Sequence, residues 1–260
     1  IDGPYEVMPG NPLLTAVGSP TDTLQRAGHA SWVQTEGGEW VMAHLCGRPI
    51  EWNAPGAIAQ PAPKHYDDLH CVLGRETALQ KLHWRVDGWP ELAQGGRAPA
   101  TTVEAPSGVT LQAPVAEAVR DDFDTPTLSP HFNSLRVPVD ASWLSLTARP
   151  GHLRLHGRES LMSTFEQSLV ARRQQHLRCH AQTALDFAPS NFHQMAGLAA
   201  YYGTRNHAYL HVSADEPSCE RVLRLMVVRD GIASEPVPPL ALPPSGMVHL
   251  ALTFDVAQMR

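Results

Sequence analysis

Alternation with a period of two, cut by glycine turns, constrains this chain more than anything else in it. Side chains of a strand point to opposite faces in turn, so a half-buried strand alternates apolar with polar residues. Val222-Leu223-Arg224-Leu225-Met226 nearly does so. Residues 31–34 and 39–45 flank Glu36-Gly37-Gly38 and read as strand, glycine turn, strand. Residues 79–86 form another short strand, ended by the hairpin signal Asp87-Gly88, and Asp230-Gly231 marks one more turn. Further strands are expected over 142–148, 153–156, 177–187, 194–202, 208–213, 222–228 and 247–254. The best helical candidate is 162–175, where Phe165, Leu169 and Val170 make only a weak stripe that a strand fits equally well. Many short strands with Gly and Pro turns predict an all-β sandwich, barrel or propeller.

Two stretches break the rhythm. Pro49 to His70 is a long loop rich in Pro and Ala. Gln94 to Val119 holds Gly95-Gly96, Pro99, Pro106 and Pro114 with few large apolar residues, and reads as a linker or a long crossing segment between domains. A boundary is placed near residue 118, with a strand set on either side. At 260 residues the chain is one large domain or two ordinary ones. No clean internal repeat is visible. The net charge of −6 argues against binding a phosphate backbone, which takes clustered basic charge. No apolar run of about 18 residues is present, so no membrane-spanning helix is predicted. The chain opens on Ile1 without a methionine and stops at Arg260 inside an alternating run, so further sequence is expected on both sides.

Cys46, Cys71, Cys179 and Cys219 have no CxxC spacing, which argues against a zinc or redox motif and leaves four small buried thiols. Among 14 histidines, His207 and His211 share a strand face but stand too far apart along it to chelate. His131, His152, His156, His176, His180 and His193 fall on turns and polar faces and read as surface or satisfied side chains. His29 differs: it sits at a strand entrance in Ala27-Gly28-His29-Ala30, and small neighbours suit a side chain facing a cavity. Arg75, in Leu73-Gly74-Arg75-Glu76-Thr77, lies between the Pro-rich loop and a strand. Its guanidinium suits either a forked contact to a ligand or a local ion pair. No nucleophile elbow, P-loop, dinucleotide fingerprint or HExxH occurs. Asp121, Asp122 and Asp124 read as turn chemistry. Trp32, Trp40, Trp84, Trp89 and Trp143 suit sugar stacking in principle, and core packing at strand positions.

Longer motifs carry a resemblance. IDGPYEV (1–7) and GNPLLT (10–15) are followed by GHASWVQTEGGEWVMAHLCGRP (28–49), LGRETALQKLHW (73–84) and DGWPEL (87–92). Then come DDFDTPTLSPHFNSLRVP (121–138), SWLSLTARPGHLRLHGRESL (142–161), QSLVARRQQH (167–176) and QMAGLAAYY (194–202). In this order they resemble the bacterial β-xylosidases of glycoside hydrolase family 43. The resemblance implies an all-β chain: a partial five-bladed β-propeller followed by a concanavalin A-like β-sandwich. Residues 1–118 would be the closing blades of the catalytic propeller plus linker, and 119–260 the sandwich, truncated at its C-terminus. It implies inverting, exo-acting removal of xylose from the non-reducing end of xylo-oligosaccharides, with one Asp as base, one Glu as acid and a further Asp tuning the acid.

Those three carboxylates belong to segments expected before Ile1, so no catalytic residue is assigned within this chain, and the chain alone is expected to be inactive. His29 matches the histidine of the family's GHA motif, which faces the pocket floor and is associated with calcium or another divalent cation, often through water. Arg75 matches the arginine of the GRET motif, which contacts the substrate and the carboxylates. No organic cofactor, nucleic acid or membrane is implied, and a cytoplasmic homo-oligomer is expected. An α-L-arabinofuranosidase or bifunctional enzyme is an alternative, because the two pentosides differ little in shape. A non-catalytic carbohydrate-binding sandwich after residue 118 is another.

Overall fold

A computed structural model describes residues 2–18, 22–50, 71–110, 112–113, 115, 119–256 and 258–259. These residues form strands, turns and irregular segments, with no helix among them. Over 162–175 only a short strand forms near the end. The cause is local: Ser163 Oγ accepts from the Phe165 amide at 3.1 Å and Glu159 accepts from the Glu166 amide at 2.9 Å. Such side-chain bonds offer the backbone an alternative to helical ones. The molecule divides into two compact units, the first made of Ile1–Val115 with Gln175–Arg178 and Asp255–Gln258 and the second of the remainder. The expected boundary at 118 and the loop over 51–70 fall outside the described residues.

The first unit is built on a four-stranded antiparallel sheet in sequential order: β1 (Gln25–Gln34), β2 (Trp40–Gly47), β3 (Glu76–Trp84) and β4 (Pro90–Leu92). The β1–β2 hairpin closes where expected, with the Thr35 amide on the Glu39 carbonyl at 2.8 Å and Gly38 at φ 83°, a conformation that favours glycine. Alternation then sends Met42, His44 and Cys46 inward from β2, each at most 3% exposed. Met42, Leu82 and Leu92 meet Leu14 in one apolar cluster, with Leu13, Ala27 and Trp40 against it. Each of these large side chains contributes roughly 1.5–3 kcal/mol by leaving water.

The stretch from Gln94 onward is tied to the first sheet by hydrogen bonds over its first part. Gln80 holds the amide and the carbonyl of Ala100, each at 3.0 Å, and the Thr15 amide bonds the Arg97 carbonyl at 2.8 Å. Farther along, Glu39 accepts from Lys81 Nζ at 2.6 Å, from Ser107 Oγ at 2.8 Å and from the Ser107 amide. Few large apolar residues mark this segment because hydrogen bonds anchor it. The same bonds, Lys81 first and then the Ser107 amide and hydroxyl, hold the Glu39 carboxyl at about 2 instead of 4.5. The depressed value means that ionised Glu39 is favoured in the folded state. Its contribution is complete above pH 4.5 and is lost as pH falls toward 2. Acid titration of wild type and Glu39→Gln, followed by exchange of the Ser107 amide, should show protection collapsing over that window only in the wild type. Equal loss in both proteins would remove Glu39 as the cause.

The second unit begins with two short antiparallel pairs: β5 (Phe132–Ser134) with β8 (Val170–Arg172), and β6 (Leu144–Ser145) with β7 (Arg154–Leu155). Strands expected over 142–148 and 153–156 shrink to these stubs, because Ser145 Oγ accepts from the Thr147 and Ala148 amides and turns the chain. Trp143, 1% exposed, centres a cluster with Leu144 and Leu146, packed by Phe123, Leu128, Leu153 and Val170.

The larger strands follow. They are β9 (Arg178–Leu185), β10 (Ala196–Gly203), β11 (Asn206–Ala214), β12 (Arg221–Arg229), β13 (Ile232–Ser234), β14 (Leu240–Ala241), β15 (Val248–Asp255) and β16 (Gln258–Met259). β10 to β13 form an antiparallel meander, with β14 also on β12, and β16, β15 and β9 form a separate sheet. Asp230-Gly231 turns the chain between β12 and β13, with Gly231 at φ 86°. The cysteine reading needs correcting: Cys46 is buried, Cys71 and Cys179 are half-buried, and Cys219 is exposed. The tryptophans also divide: Trp143 is core, whereas Trp32 and Trp84 keep 46% and 45% of their surface.

Candidate active site

Strand β1 carries two consecutive bulges. Gln25 pairs with Gly47, Gly28 with Leu45 and Ser31 with Ala43, so β1 advances three residues for every two of β2. Residues 26 and 27 therefore oppose Cys46, and residues 29 and 30 oppose His44. The first residue of each bulge, Arg26 at φ 54° and His29 at φ 51°, is left-handed. A non-glycine residue adopts that conformation when the surrounding pairing imposes it. Bulges re-aim side chains and concentrate near functional sites. His29, the histidine singled out by its small neighbours, is exposed on the second one.

Arg75 is the last residue before β3. The turn that delivers it closes with the Gly74 amide on the Cys71 carbonyl at 2.9 Å, with Gly74 at φ 72°. Arg75 is exposed, and its neighbour Glu76 forms an ion pair with Arg48. Glu76 takes a forked contact from Arg48, whose Nε lies 3.0 Å and Nη2 2.7 Å from the two carboxylate oxygens. That contact raises the Arg48 guanidinium still further. The start of β1, the end of β2 and the start of β3 thus share one end of the sheet, with Arg26, Arg48 and Arg75 gathered there. β1 and β3 are two strand spacings apart, roughly 10 Å. His44, opposite the His29 bulge, pairs with Ala78, three residues beyond Arg75. The two predicted site residues, His29 in β1 and Arg75 just before β3, therefore have backbones roughly 14 Å apart.

The other groups at this end do not supply the chemistry of hydrolysis. Burial pushes the thiols of Cys46 and Cys71 up, away from the thiolate a nucleophile requires. Among the described residues, every carboxyl group whose acidity is displaced is pulled downward: Glu39 by Lys81, Asp140 by Ser142, Glu159 by the Glu166 amide and Asp186 by Arg149. A general acid needs the opposite displacement. No three His, Cys, Asp or Glu side chains gather as a metal cluster among the described residues. Calcium takes six to eight oxygen ligands, so the described residues do not by themselves fit the ion.

His207 and His211 do share a face of β11, yet both are buried, at 5% and 1% exposure. Their rings stack on Tyr201 at 5.6 Å and Tyr209 at 4.7 Å, and each Nδ1 faces a backbone carbonyl. Burial lowers the His211 imidazole and raises the Tyr209 hydroxyl. They are packing residues of the sheet. Two of the acidic trio serve local turn chemistry: Asp121 caps the Phe123 amide at 2.8 Å and Asp122 pairs with Arg120.

Sequence reasoning passed over His44 and Gln80. Nothing local marks them: each is a polar residue at an inward position of a strand, a pattern that by itself reads as an irregularity in the alternation. Their partners come from β3 and from the segment around Ala100.

Comparison with known proteins adds the following. Residues 1–90 match the family model described as glycosyl hydrolases family 43, and residues 120–260 match the β-xylosidase C-terminal concanavalin A-like domain. A β-xylosidase of Bacillus subtilis is 45% identical over 239 residues, covering 91% of this chain and 43% of that protein. A xylosidase/arabinosidase of Humicola insolens is 39% identical over 257 residues, covering 97% of this chain and 44% of its own length. The crystal structure of a xylan β-1,4-xylosidase from Bacillus halodurans matches at 43% identity and a TM-score of 0.89, over 100% of this chain and 46% of that one. The chain thus spans less than half the length of each of these relatives.

Proposed function

Because the chain belongs to glycosyl hydrolase family 43, we propose that it is part of an exo-acting, inverting β-xylosidase that removes xylose from the non-reducing end of xylo-oligosaccharides. One observation carries this reading: a single chain holds a family 43 segment at 1–90 followed at 120–260 by the C-terminal domain described for β-xylosidases. In this proposal residues 1–118 are blades of a five-bladed propeller plus linker, and 119–260 are a sandwich. Val33 and Leu79, 64% and 50% exposed on the sheet face opposite Met42, suit a surface covered by a neighbouring blade.

The division of labour follows from the site. Hydrolysis with inversion takes two carboxyl groups about 6.5–9.5 Å apart, one protonated and one activating water. We place both outside the residues of this chain, with the carboxylate that tunes the acid. Arg75 supplies a permanently charged fork for sugar hydroxyls or for those carboxylates. His29, aimed by its bulge, lines the pocket. A divalent cation, calcium in the family pattern, would meet His29 through water. A homo-oligomer in the cytoplasm remains part of the proposal.

The test uses the full-length protein and 4-nitrophenyl β-xyloside, with the first-formed anomer followed by NMR. Release of α-xylose is expected; β-xylose as first product would overturn inversion. The 260-residue chain alone should give no turnover above buffer. Measurable hydrolysis by it would mean that its own carboxylates suffice. The name of the Humicola insolens relative favours a second reading, a dual pentosidase. Comparable kcat/KM on the α-L-arabinofuranoside would select it.

A further inference from the structure

Beneath the His29 bulge lies a buried polar network that the hydrolytic chemistry does not use. His44 stands opposite residues 29 and 30 and is 1% exposed. Its Nδ1 lies 2.9 Å from the Leu45 carbonyl, so Nδ1 carries the proton. Nε2 is then an acceptor, and the Gln80 amide nitrogen donates to it at 3.3 Å. Gln80 is 0% exposed, and its amide is fully used. Nε2 donates to His44 and to the Ala100 carbonyl at 3.0 Å, while Oε1 accepts from the Ala100 amide and from Gln94 Nε2, each at 3.0 Å.

A buried network with every member satisfied has one low-energy arrangement and rigidifies what it joins. This one joins β2, β3 and the segment at Ala100, and its outer member sits where the strand pairing slips. A bulge can migrate by one residue along its strand, and a slip of one residue turns each side chain to the other face. The pairs that confine this bulge, Gly28 with Leu45 and Ser31 with Ala43, use the two residues that flank His44. We propose that His44 and Gln80 are positioning residues for the active site, fixing β2 so that the bulge stays at His29 and presents its imidazole to the pocket. The proposal rests on the reading of His29 as a pocket residue.

A double-mutant cycle in the full-length protein tests it, with kcat/KM on 4-nitrophenyl β-xyloside as readout and thermal melting alongside. His44→Asn keeps a donor for the Leu45 carbonyl but loses the acceptor for Gln80. It should lower kcat/KM about tenfold, in the range that small misplacements cost. His44→Gln, which can return an acceptor to Gln80, should recover most of that loss. In a His29→Ala background, His44→Asn should change kcat/KM by less than about twofold, because what it positions is already gone. If His44→Asn does not fold, Gln80→Glu, which keeps the shape and one acceptor oxygen, takes its place in the cycle. An equal loss in both backgrounds, or no loss at all, overturns the positioning role while leaving His29 in place. An unchanged kcat/KM for His29→Ala alone removes the His29 reading, and the proposal with it.

Discussion

Replacing Arg75 by lysine in the full-length protein is expected to lower kcat/KM for an aryl β-xyloside about a hundredfold, or ~2.7 kcal/mol of transition-state stabilisation. The size follows from the chemistry. A guanidinium holds two parallel donors in a plane, and lysine replaces them with a single point charge. Each charge-assisted bond lost against a desolvated partner is worth ~1.5–3 kcal/mol. The melting temperature should stay near the wild-type value, because Arg75 is exposed and the neighbouring Glu76 keeps its partner Arg48. A variant with normal kinetics and reduced stability would make Arg75 a local structural cation and remove it from the site. A variant in which only KM rises would assign it to binding the sugar in ground and transition state alike.

The second large effect is on stability. Trp143→Ala should cost about 3–5 kcal/mol, as truncation of a buried tryptophan does, and lower the melting temperature of the second unit by about 10 °C. Trp143 is 1% exposed in the cluster with Leu144 and Leu146. Its indole nitrogen donates to the Pro138 carbonyl at 3.2 Å, and the Arg158 guanidinium lies 4.6 Å over its ring. The side chain thus supplies apolar area, a satisfied donor and a cation–π face together. Trp143→Phe keeps part of the packing and should lose less than half as much. A loss below about 1 kcal/mol for the alanine variant, measured by denaturant unfolding of the full chain, would show that the cluster closes over the gap.

The strand pattern was readable in the longer strands of the second unit. In β10 to β12 and in β15, the expected segments differ from the observed ones by only a few residues at either end. Reading failed where side chains bond their own backbone. Ser145 dissolves an expected seven-residue strand into a stub, and Ser163 with Glu159 removes the candidate helix. Nor did the sequence show how the segment from Gln94 to Ser107 is held, because polar anchors there replace apolar contacts. His29 and Arg75 stood out from their glycine-bearing surroundings and from long family motifs. His44 and Gln80 did not, because what distinguishes them is a set of partners on other strands.

By itself the sequence determined the all-β class, the glycine-closed hairpins at Gly38 and Gly231 and the family, and it singled out His29 and Arg75 as candidates. These are local or motif properties: a two-residue period, a left-handed turn and a run of matching letters each lie within one stretch of chain. Only the tertiary structure decided that β1 is bulged twice against β2, that Glu76 is spent on Arg48, and that a buried histidine and glutamine lie beneath His29. Register and side-chain partnership depend on which strands meet and in what alignment. That is settled by burial across the whole sheet, which no single segment encodes.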